Sequence, residues 1–138
     1  MKEILNNEFA QVCYDSNSNA VITVWKKPAT SEAYRLIFSE ILNGIKDFKA
    51  EALISDIFQQ GIVGTENRVW MQNDILPKAH TAGLQKIAIV APNDVFSKFY
   101  IESVKNGVSE KCPALEFQYF QELISAQAWV LGQTMEVA

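Results

Sequence analysis

Two segments decide the fold: ALISDIF, Ala52–Phe58, and KIAIVA, Lys86–Ala91. The first is apolar except at Ser55 and Asp56, the second except at Lys86. Strands apolar on both faces belong inside a sheet covered by helices, usually a parallel one. The pair therefore predicts two adjacent parallel strands. Asp56 then falls at a strand's carboxyl end, on the edge where α/β proteins usually bind ligands. Ile57, Phe58, Gln59, Gln60 and Gly61 follow it.

Working outward, Phe9–Tyr14 and Ala20–Trp25 are β-rich, and the intervening DSNSN, Asp15–Asn19, contains only turn formers. That pattern predicts an antiparallel hairpin, with Ile4-Leu5 as a short strand before it. Thr30 or Ser31 can cap a helix in which Ala33, Ile37, Ile41 and Ile45 recur every fourth residue. Leu36, Phe38 and Leu42 widen the stripe. Between the two apolar strands, Thr65 can cap a helix with Val69, Trp70, Leu76 and Ala79 inward. Pro77 predicts a kink or break there, because it cannot donate to a helix ladder, with Pro77 opening a second piece that Gly83 ends. Asn93 or Asp94 caps a helix carrying Val95, Phe96, Phe99, Tyr100 and Val104. Leu115–Phe120 alternates like an edge strand. A last helix over about Glu122–Leu131 precedes a tail expected to fray after Gly132. The order β-β-α-β-α-β-α-β-α predicts one α/β domain over residues 1–138 with a mixed sheet and right-handed crossovers.

Composition supports a single cored domain. The chain has 138 residues, 49% hydrophobic and 20% charged, with three Trp, four Tyr and eight Phe. A domain this size buries roughly 68–70% of its unfolded surface. The net charge is −4 and Lys26-Lys27 is the only adjacent basic pair, so nucleic acid is disfavoured as a partner. Cys13 and Cys112 lack metal-ligand spacing and read as reduced thiols in a cytoplasmic protein. The start MKEILNNEF has no signal-peptide core, and no stretch reaches the ~18 apolar residues of a membrane span.

Trp70, Pro77 and Gly83 before KIAIVA, Phe96 in the next helix, and Ala126 and Trp129 followed by Val130-Leu131 are similar to a known pattern. The chain resembles, over nearly its whole length, the small SpoIIAA-like proteins of the STAS superfamily, in particular their Bacteroidetes-type members. The resemblance implies a STAS-like mixed sheet, an N-terminal hairpin followed by βα units, and a non-enzymatic interaction or regulatory role without a cofactor. Regulatory STAS proteins carry a phosphorylatable hydroxyl in an Asp-Ser-x-Gly context after the central strand. Here no hydroxyl follows Asp56, so a kinase-driven switch is not expected there.

The candidate chemistry is sparse. Asp56 serves as a cap for its following loop or as a site carboxylate. His80, the single histidine, lacks an orienting carboxylate on its own helix; a hydrolase would need it and Asp56 to converge in one cleft. GIVGTEN, Gly61–Asn67, precedes a helix but has neither G-x-G-x-x-G nor a Lys-Ser/Thr pair. Trp25, Trp70 and Trp129 read as core, and Trp129→Ala should then cost roughly 3–5 kcal/mol. The expected partner surface is the strand-end rim of Asp56, Gln59, Gln60, Trp70, Asn93 and Asp94, facing a protein partner or a second copy in a homodimer. The alternative is a small apolar, lipid-like ligand lined by Trp70, Phe96, Phe99 and Tyr100.

Overall fold

The computed structural model describes residues 1–132. Its six strands are β1 (Lys2–Asn6), β2 (Ala10–Asp15), β3 (Ala20–Trp25), β4 (Ala52–Asp56), β5 (Lys86–Val90) and β6 (Glu116–Phe120). They lie in one sheet in strict chain order, β1-β2-β3-β4-β5-β6. β1, β2 and β3 pair antiparallel; β3 through β6 pair parallel. The two apolar segments are the neighbours their sequences predicted, with Ala52 opposite Lys86 and Asp56 opposite Val90. Asn19 closes the hairpin at φ 49°, a conformation asparagine tolerates, and its Oδ1 accepts from the Tyr14 hydroxyl at 2.7 Å. The expected β6 edge strand is present, and the tail expected to fray lies outside the described residues.

Chain order fixes where the helices go. Crossovers between parallel strands are right-handed. When each new strand is added on the same side of the last, all crossover helices fall on one face. α1 (Ser31–Phe48), α2 (Thr65–Trp70) with its continuation, and α4 (Val95–Lys111) are those crossovers. The main core is built from Ile37, Ile41 and Ile45 of α1, Leu76 and Ala79 of α3 (Leu76–Thr81), and Ile101, Val104 and Val108 of α4. They pack on Val12, Val21, Leu53, Ile87 and Ile89. α5 (Leu123–Val130) returns over the opposite face, where Ala126 packs on Ala20, Ile22, Ala52, Ile54, Ala88 and Val90.

Two local expectations need correction. Pro77 opens a second helical piece as expected, lying in the first turn of α3, but the helix after β4 does not break before it. It widens into a π-helical turn over Met71–Ile75, with Leu76 N–H bonded to Met71 C=O, and continues as α3 (Leu76–Thr81). The wide turn carries the ladder past the residue that cannot donate to it. Thr65 is the first helical residue and Gly64 the cap, so no side chain caps α2. Thr30 does cap α1, accepting Ala33 N–H at 3.1 Å, and Asp94 caps α4, accepting Ser97 N–H at 2.8 Å. In α4 the buried stripe is Ile101, Val104 and Val108. Val95 and Phe99 sit about half a turn around from it, which leaves them, with Phe96, exposed. Val69 is exposed as well, because α2 buries no residue and stands at the sheet's end.

Ile41 is 1% exposed and Leu36, on the edge of the same stripe, 52%. Ile41→Ala should therefore lower the unfolding free energy by about 2–5 kcal/mol, and Leu36→Ala by about 0.5 kcal/mol or less, measured by urea unfolding. Trp129 is only half-buried, its ring against Phe120 at 5.7 Å and beneath the Lys86 ammonium at 5.2 Å. Trp129→Ala should cost about 1–3 kcal/mol in the same assay, below the value for a fully buried ring.

Candidate functional site

The carboxyl ends of β4 and β5 each release a loop that is pinned to the frame. Asp56 Oδ1 accepts the Phe58 N–H at 3.1 Å, an Asx turn, and Ile57 N–H reaches Val90 C=O at 2.9 Å. Asp56 is thus engaged as the cap for its own loop. Gly61 has φ 70°, and a Cβ there would stand 2.7 Å from Pro28 Cγ. Both the handedness and the close approach to the β3–α1 connection require glycine. The β5–α4 loop is held by Tyr119, whose hydroxyl donates to Ala91 C=O at 3.2 Å and Pro92 C=O at 3.0 Å.

Between these two loops lies an open groove of about 480 Å3, lined by Ile57, Phe58, Gly61, Ile62, Val63, Arg68, Pro92, Asp94, Phe96, Ser97, Phe99 and Tyr100. Its borders are strongly apolar and open to water: Ile62 is 98% exposed, Phe96 88%, Val95 79% and Phe99 74%. A contiguous apolar surface of this kind marks a place that something covers. Beneath it a separate cavity of about 30 Å3 lies between helices and sheet, lined by Ser55, Gln60, Met71, Ile89, Tyr100 and Phe117 among others. That volume holds a water and no organic ligand.

The residues expected on the rim divide between these places. Asp94 lines the groove and Gln60 lines the inner cavity. Gln59 and Asn93 are exposed. Trp70 is half-buried, 6.4 Å from the Tyr34 ring and 4.9 Å beneath the Arg35 guanidinium. Phe96, Phe99 and Tyr100 line the groove together, without Trp70. Composition alone missed Phe58, Ile62, Val63 and Arg68. Their one signal is an apolar pair, Ile62-Val63, inside a glycine-bounded loop where a turn has no structural use for such residues.

Asp56 and His80 do not converge. His80 Nδ1 lies 2.9 Å from Leu84 C=O, near the start of β5, whereas Asp56 is at the far end of parallel β4. Among the described residues no cluster of three His, Cys, Asp or Glu side chains could hold a metal ion, and no helix is long and apolar enough to cross a membrane. Cys13 and Cys112 are free thiols; burial, then the nearby Glu3, raises the Cys13 pKa. Comparison with protein-family models, curated proteins and solved structures gives no match.

Two phenols behind the groove are strongly perturbed. Burial raises Tyr100 from 10.0 to about 12, with Arg68 pulling the other way. Burial raises Tyr34 well above its ordinary value, Tyr100 adds to the rise, and Arg68 again opposes it. Both folded pKa values exceed the unfolded one. Their contribution to stability is therefore complete below pH of about 10; for Tyr100 it is lost as pH rises through about 12 and for Tyr34 the loss continues to higher pH, since the unfolded chain releases protons the folded chain keeps. In a phenolate absorbance titration, part of the native signal should be missing at about pH 11 and appear on unfolding. Tyr34→Phe and Tyr100→Phe should each reduce that missing part.

Proposed function

We propose that the chain is a non-catalytic interaction module of the STAS-like type, working in the cytoplasm through the apolar mouth at the carboxyl end of its sheet. The observation that carries this reading is the exposure of Ile62, Val95, Phe96 and Phe99 around one groove. Val95 is not part of the groove wall, and Ile62 is almost fully in water. A small ligand seated in the groove would leave Val95 wet, whereas a protein surface covers both. The absence of a hydroxyl after Asp56 and the engagement of that carboxylate with Phe58 N–H favour a constitutive docking surface over a phosphoswitch.

A second reading has its own support. The groove's volume is within the roughly 300–1,000 Å3 range of small-molecule sites, and Phe96, Phe99 and Tyr100 line it. It would then hold a small apolar molecule, detectable by native mass spectrometry of the purified protein.

The docking reading is tested with Phe96→Asp/Phe99→Asp. Both side chains are exposed, so the thermal melt should be unchanged. Protein recovered with the native chain by cross-linking should be lost with this double variant and retained by Lys111→Glu, at the far end of α4. Sedimentation separates a second copy of this chain from a different protein. Recovery of the same set by all three proteins would overturn the reading.

A further inference from the structure

We propose that the groove takes a single-chain amphipathic carboxylate, such as a fatty acid, with Arg68 gripping the carboxylate and the aromatic walls taking the chain. The inference rests on the small-molecule reading of the groove and deepens it. Arg68 is the one cation among the residues lining the groove. It is part-buried, and among the described residues its side chain has neither an ion-pair partner nor a hydrogen-bond acceptor. Neither Glu66, which lies 3.8 Å from Arg35, nor Asp94, which accepts Ser97 N–H as the cap of α4, pairs with it.

A guanidinium drawn partly out of water without an anion is costly, so its position calls for a counter-charge from outside the fold. The phenols add a second, independent sign. Tyr34 is 3% exposed, and its hydroxyl is buried with no partner. Tyr100 lines the groove, and its hydroxyl makes no hydrogen bond among the described residues either. Arg68 is close enough to bear on both phenols. Two donors on the groove wall, the Arg68 guanidinium and the Tyr100 hydroxyl, thus have no hydrogen-bond partner among the described residues.

One cation matches a single negative charge, and a guanidinium matches the two oxygens of a carboxylate as a bidentate pair. Phe58, Ile62, Phe96 and Phe99 offer apolar contacts for the rest of such a molecule, with Asp94 and Ser97 the remaining polar side chains of the wall. An anionic bilayer fits less well, since it would need a basic surround and the chain carries −4.

Calorimetric titration with decanoate and with 1-decanol tests this. The native protein should bind decanoate roughly tenfold or more tighter than decanol, as expected for one charge-assisted pair. Arg68→Gln should bring decanoate down to the decanol affinity while leaving decanol unchanged, which also shows that the groove is intact. Arg68→Lys should keep part of the preference. Equal affinities in the native protein, a preference that survives Arg68→Gln, or binding of neither compound would each overturn the proposal. Failure on these grounds is separate from the docking reading, which stands or falls with the cross-linking of Phe96→Asp/Phe99→Asp.

Discussion

The structure depends on one constraint: four parallel strands added always on the same side, β3 to β6, joined by connections of a single hand. Doubly wound sheets reverse direction once, and the reversal places helices on both faces and opens a crevice between diverging loops. This sheet never reverses. Its crossover helices are stacked on one face, and no crevice of that kind forms at the strand ends. A binding site must be made by the loops themselves, and the two loops after β4 and β5 do so.

Those loops are anchored to the sheet by contacts that can be traced to individual atoms. Asp56 spends its carboxylate on the backbone of the turn it begins. Gly61 lets the same loop touch Pro28, and Tyr119 reaches from the edge strand to tie down the other loop. The apolar residues they present are thus held out in water by a stiff frame. Such residues lose little further freedom on binding, which is what a preformed surface gains over one that must order itself.

Much of the architecture was legible in the sequence because periodicity reports burial directly. The fourfold recurrence in α1, the hairpin with its asparagine turn and the paired apolar strands all survive in the coordinates. Apolar character by itself does not mark core. Val95, Phe96 and Phe99 continue the hydrophobic look of α4, but the buried stripe begins two residues later and runs along another line of the helix. Arg68 gave no signal, since a single arginine in a helix ordinarily faces solvent; only the neighbourhood formed by a distant helix and loop makes it unusual. Pro77 marks where the second helical piece opens, and the chain reaches it through a π turn rather than a break.

The two sides of the sheet are unequal walls. One is a thick layer of helices; the other, among the described residues, is a single eight-residue helix lying on alternating alanines and branched aliphatic residues. A helix so short has almost no stability of its own, so α5 stays folded only while it remains docked. Its detachment would cost far less than opening the other side. The molecule should therefore breathe from one flank, with backbone amides of α5 trading hydrogen for deuterium while those of α1 are still protected, and the groove-bearing frame would keep its shape throughout.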